Sequence, residues 1–163
     1  LALLDSLGLT PYQFSVVFIA YGLAYIAGGV AATYLNNRVS PQVQIKTGFL
    51  LIAAGGITLL IWEQVAGLTV AGLLLPMIIC TTGTTLVRPA ATTQALARYP
   101  QQAGAAASLN TTLLFAGGGL AGSLVAGVES ALPMSLGLLF LGVSLCGWLL
   151  LACLTETLTS TRT

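Results

Sequence analysis

Five apolar runs decide what this chain can fold into, because each is close to the length a helix needs to cross a bilayer. They cover roughly residues 12–34, 48–62, 69–97, 103–128 and 134–154, the second extending somewhat at both ends. About 20 apolar residues span a hydrocarbon core as helix. Charge is scarce around them. The 163 residues include five basic and four acidic side chains and are 56% hydrophobic, with a mean hydropathy of +0.97. A soluble domain carries charge on about a quarter of its positions. The expectation is an all-α membrane protein in which residues 1–163 form a single transmembrane domain and lipid is the main partner. The net charge of +1 gives no electrostatic footprint for nucleic acid.

The connectors are short, and their charges separate by side. Arg38, Lys46, Arg98 and Arg162 fall in alternate connectors and the C-terminal tail, while Asp5, Glu63 and Glu129 fall in the others; Glu156 is the one acid on the basic side. Positive charge favours the cytoplasmic face, which puts the N-terminus outside and the C-terminus inside. An external N-terminus without a visible signal peptide, and an opening LALLDSLGL that reads as a helix already under way, predict further helices upstream. Pro11, Pro41, Pro100 and Pro133 stand at or near span ends, where a missing backbone donor costs little. Tyr12 and Trp62 mark one predicted interface, Tyr34 and Tyr99 the other.

The spans differ in character. The second and fifth are apolar all round, which predicts helices facing lipid over most of their surface. The first and fourth carry small residues every four positions: Ala20, Ala24, Gly28 and Ala32 in one, Gly118, Gly122 and Ala126 in the other. Such stripes let helices approach in lipid. The third span is the exception. Pro76, Gly83 and Pro89 are its candidate breaks. Thr81, Thr85, Arg88 and Thr92 recur at spacings that line one helical face, and Asn110, early in the fourth span, can join them. A charge is expensive in lipid, so this face is expected to meet protein or water. These five residues are the candidate substrate cavity. Arg88 also has a bland reading, in which its long side chain snorkels toward the turn at Arg98.

Several chemistries are absent. There is no histidine, no pair of carboxylates within one span and no Walker A motif, which disfavours an enzyme. Cys80, Cys146 and Cys153 sit singly in apolar runs and read as small core residues, so no metal site is expected. No acid lies at mid-membrane depth, so a carboxylate for proton coupling is expected upstream.

The stretch TTGTTLVRPAATTQALARYPQQAGAAASLNTTLLF resembles the tenth and eleventh helices of major facilitator superfamily transporters. More narrowly it is similar to the Bcr/CflA multidrug efflux group. The residues carrying this are Gly83, Pro89-Ala90-Ala91, Ala95-Leu96, Pro100, and Ala103-Gly104 with Ala106, Ala107 and Ser108. The opening GLTPYQFSVVFIAYGLAYIAGG resembles that group's entry into its eighth helix. The resemblance implies part of a six-helix half of a twelve-helix fold, as five transmembrane helices plus the end of a sixth, with the N-terminal half missing. It implies a proton-driven antiporter of a bacterial inner membrane, exporting a small molecule and needing no cofactor beyond the proton gradient. The loop signature between the eighth and ninth helices is worn: Gly29 and Asn37-Arg38 can correspond, and its Asp is absent. The rival expectation is a non-transporting membrane subunit with an assembly or anchoring role.

Overall fold

The computed structural model describes residues 11–36, 38–67, 69–127 and 132–160. Five long helices follow one another: α1 (Pro11–Asn36), α2 (Pro41–Ala66), α3 (Val70–Arg98), α4 (Ala103–Ala126) and α5 (Leu132–Ser160), with a 3-10 turn, Pro100–Gln102, leading into α4. No strand occurs among the described residues. Segments Phe18–Leu35, Pro41–Ala66, Val70–Arg98 and Met134–Cys153 are long and apolar enough to cross a membrane. Among the described residues, α4, the fourth predicted span, supplies no further such segment.

Local chemistry sets the helix ends. Pro41 opens α2 at a position where the backbone N–H has no intrahelical acceptor. Gly67 closes the link from α2 with φ +67, the one positive φ among the described residues, and its N–H donates to the Glu63 carbonyl at 3.2 Å. Thr69 caps α3, its hydroxyl accepting the Gly72 N–H at 3.2 Å and the Trp62 indole N–H at 2.9 Å.

The bundle is organised around α2, which packs most extensively on α3 and then on α5, while α1 packs on α3. Gly48 lies beside Gly83, and Gly55 beside Pro76 and Cys80, so α2 and α3 run antiparallel. Gly56 lies beside Gly137 and Phe49 beside Gly147, so α5 is antiparallel to α2 as well. This corrects the lipid-facing expectation for the second span. Gln44, Ile45, Gly48, Ile52, Gly55, Gly56 and Leu59 of α2 are buried. Gly48 and Gly55 toward α3, and Gly56 toward α5, let neighbouring backbones come close, and close packing is what joins helices in lipid. Apolar character all round reported the solvent and not the neighbours.

The interruption expected in the third span takes another form. Helix α3 is continuous for 29 residues through Pro76, Gly83 and Pro89. Pro76 and Gly83 are buried at the α2 seam, where their small cross-section admits the facing helix. The outer faces of α1, α4 and α5 expose large apolar side chains, among them Phe18, Ile26, Phe115, Leu120, Leu145 and Leu150. In water such a surface would aggregate; in a bilayer it is the expected outer face. An all-helical bundle with this surface is a membrane protein.

Candidate functional site

The threonine face of α3 divides into two zones. The upper zone is a helix seam. Thr81 and Thr85 are each 5% exposed. The Thr81 hydroxyl donates to the Tyr21 hydroxyl of α1 at 2.8 Å. Thr85 donates to the Thr82 carbonyl of its own helix at 2.8 Å, a self-bonding that hides a hydroxyl in an apolar setting. Gly28 of α1 sits so close that a Cβ there would lie 2.6 Å from the Thr85 hydroxyl oxygen. The stripe Ala20, Ala24, Gly28, Ala32 thus runs from exposed through half-buried to buried along α1.

Lower on the same face the chain opens. Arg88 is exposed and Thr92 half-buried. The Asn110 side-chain N–H of α4 reaches Thr92 Oγ1 at 3.3 Å, a long bond that links α3 to α4 across the turn. Beneath it lies an open groove of about 420 Å³, lined by Ala95, Tyr99, Gln102, Ala106, Leu109 and Asn110, with further alanine and leucine wall. Helix α4 otherwise stands apart, exposed at every position from Ser108 to Leu120. Nothing lies within 4 Å of where a Cβ would stand on Gly118 or Gly122. The Ala126 side chain lies outside the described residues.

Two buried polar residues went unremarked in the sequence. Gln44 is 1% exposed. Its amide nitrogen donates to the Ala32 carbonyl of α1 at 3.3 Å and the Leu86 carbonyl of α3 at 3.2 Å. One side chain of α2 therefore ties three helices, while its own carbonyl oxygen has no hydrogen-bond partner. Two facing carbonyls fix the amide orientation, since a flipped oxygen would meet acceptors only. Ser144 of α5, 4% exposed, donates to the Phe49 carbonyl at 2.8 Å. A signal for Gln44 was present: Gln44, Gly48, Ile52, Gly55 and Leu59 form one helical stripe, which extends the second span back into what reads as a polar connector.

The pairing of helices also gathers charge. Helices α1 and α3 end, and α2 begins, at one end of the bundle, which carries Arg38, Lys46 and Arg98. Arg38 lies over the Tyr34 ring at 4.9 Å from its centre and donates to the Tyr34 hydroxyl at 3.1 Å. Glu63 is at the opposite end of α2. The groove lies at this end, where Tyr99 and Gln102 form part of its wall. Among the described residues, no three metal-ligating side chains converge.

The fold and site therefore define a helical membrane protein with a largely apolar groove, edged by Tyr99, Gln102 and Asn110, at its basic end. No family model, curated protein or solved structure matches this chain.

Proposed function

We propose that this chain is the C-terminal part of a secondary active transporter of the major facilitator type, similar to the Bcr/CflA efflux group. It would export drug-like or small organic solutes against proton entry by alternating access. The observation that carries the reading is the groove between α3 and α4, whose wall includes Asn110, hydrogen-bonded to Thr92 on the polar face of α3. Transport sites in helical bundles lie where polar side chains face a cavity instead of lipid. Arg88, Thr92 and Asn110 would serve the solute path, while Thr81 and Thr85 hold α1 against α3.

In this reading α4 also crosses the membrane, giving five spans plus the end of a sixth. The end bearing Arg38, Lys46 and Arg98 faces the cytoplasm of a bacterial inner membrane, as does the C-terminus. The open glycine face of α4 would meet the second helical half. The test is solute accumulation in a pump-deficient bacterium expressing the full-length protein, with a panel of neutral, anionic and cationic drug-like compounds. Lower accumulation of some of them, restored by a protonophore, is the expected result. Accumulation unchanged across the whole panel overturns the reading. Arg88→Gln is expected to weaken transport of at least one exported compound, and unchanged export of all of them removes Arg88 from the path.

A further inference from the structure

We infer that the groove at the α3–α4 junction binds a drug-sized organic anion, an apolar body bearing one carboxylate- or sulfonate-like head. This rests on the transporter reading and names the substrate class of the same site. Size is the first ground. The groove holds about 420 Å³, inside the range of roughly 300–1,000 Å³ that small-molecule sites occupy.

The second ground is how the lining is distributed. Tyr99 and Gln102 stand at the turn, and both carry donors, a phenol O–H and an amide N–H. Leu109 and Leu113 line the groove further along α4. Leu113 lies eleven positions past Gln102 in number, on the order of 16 Å along a helix. A ligand matching this wall has its polar head at the turn and its apolar body along α4. Asn110 stands within the apolar stretch, positioned by its bond to Thr92.

Charge decides the sign of the head. From Gln64 to Val128 the sequence contains no Asp or Glu, and its charges are Arg88 and Arg98. Arg98 is in the last turn of α3, directly before the lining residue Tyr99. An organic cation would find no carboxylate on α3, the turn or α4. An anion would find the donors of Tyr99 and Gln102 at the basic end of the bundle, and hydrogen bonds to a charged acceptor are the strong ones.

The experiment uses the purified full-length protein in phosphatidylcholine vesicles without any ion gradient, so binding is read separately from transport. Two photoreactive probes of the same shape are compared: 4-benzoylbenzoate and its benzophenone trimethylammonium analogue. Adducts are located by peptide mass spectrometry. The carboxylate probe is expected to label the segment 95–113 roughly tenfold more than the ammonium probe, the ratio that one charge-assisted hydrogen bond commands. Ala106→Trp, which fills the groove, and Gln102→Leu, which removes a donor at the exposed turn, are each expected to lower that labelling. Either variant that folds suffices, folding being read from helix content and melting midpoint. Equal labelling by both probes, labelling unchanged in the folded variants, or displacement of the carboxylate probe by added phosphatidylglycerol would overturn the inference, the last by assigning the groove to lipid. Anion labelling in a protein that exports nothing keeps the site and sinks the transporter reading instead.

Discussion

Helices α2 and α4 are both rich in glycine, yet the glycines do opposite things. On α2, Gly48, Gly55 and Gly56 each face a neighbour's backbone, and a Cβ at any of them would lie about 3 Å or less from a carbonyl oxygen of α3 or α5. On α4, Gly104, Gly117, Gly118, Gly119 and Gly122 have nothing within 4 Å. The difference lies in the partner and not in the helix. Gly83 on α3 and Gly137 on α5 answer the α2 glycines with small surfaces of their own, so two backbones close on each other. No described helix offers α4 such a face. A small-residue stripe thus states that a helix can be approached, while the matching stripe elsewhere states by what.

The largest effect is expected where the match is tightest. At Gly83 a Cβ would come 2.6 Å from the Gly48 carbonyl oxygen and 3.0 Å from the Ile52 nitrogen. Both are backbone atoms that cannot rotate away. Gly83→Val should therefore push α3 off α2 and destabilise the bundle by about 3 kcal/mol, the upper end for overpacking a filled seam. The check is unfolding in mixed micelles, followed by far-ultraviolet circular dichroism. A loss below about 0.5 kcal/mol, the size of a surface substitution, would mean that the seam yields and that the contrast between α2 and α4 is empty.

Gln44 tests the same seam by a polar route. Gln44→Glu puts a carboxylate against the Ala32 and Leu86 carbonyls in place of a donor, and should cost about 2–3 kcal/mol, since a buried polar group loses its partners. Gln44→Leu should cost less, about 1 kcal/mol, because it also removes the unpaired Gln44 carbonyl oxygen. Unfolding midpoints for the two variants in one detergent give the order. If the leucine variant is the less stable, the amide contributes more than its inventory of bonds suggests.

Gln44 also shows where the sequence was legible and where it was not. Helical class and membrane character follow from length and hydropathy alone, since lipid leaves the backbone few options. The ends of α1, α3 and α4 fall within about two residues of the expected spans, whereas α2 begins at Pro41, seven residues before Gly48, and α5 runs to Ser160, six past Leu154. Which helix lies at the centre did not follow. Polarity is uniform along the apolar part of α2, residues 48–62, and burial there depends on Gly83, Gly137 and Gly147, which lie on other helices. The threonine face of α3 was visible from its spacing, but its division into a seam at Thr81 and Thr85 and an open zone at Thr92 depends on where α1 ends its contact. Pairing across helices is a non-local property that a one-dimensional period does not encode.

Smaller effects belong to single hydroxyls. Ser144→Ala removes the bond to the Phe49 carbonyl that joins α5 to α2, and Thr81→Val removes the bond to Tyr21 that joins α1 to α3. Each should cost roughly 0.6–1.7 kcal/mol, from the average to the maximum found for interhelical hydrogen bonds in a membrane bundle. The double variant should be additive, because the two bonds share no residue. Non-additivity above about 0.5 kcal/mol in the micellar unfolding cycle would show that α1 and α5 are coupled through α2 and α3.

The smallest effect should come from α4. Gly122→Leu adds a branched side chain where nothing stands within 4 Å, on a helix already exposing Leu120 and Leu124 at 69% each. Replacing glycine also raises helix propensity, by up to about 1 kcal/mol in an exposed interior. The stability of this chain alone should therefore stay level or rise slightly, although Gly122→Leu is a larger change than Gly83→Val in side-chain volume. The same substitution acts differently if α4 lies against a second helical half in the full-length protein, because leucine would then occupy a contact. Gly122→Leu is thus to be measured twice, as micellar unfolding of residues 1–163 and as solute export by the full-length protein. A neutral first result with lost export locates a partner on this face. A neutral result in both leaves the α4 glycines facing lipid, and a destabilised residue 1–163 chain would show that α4 packs more closely on its own bundle than its open flank implies.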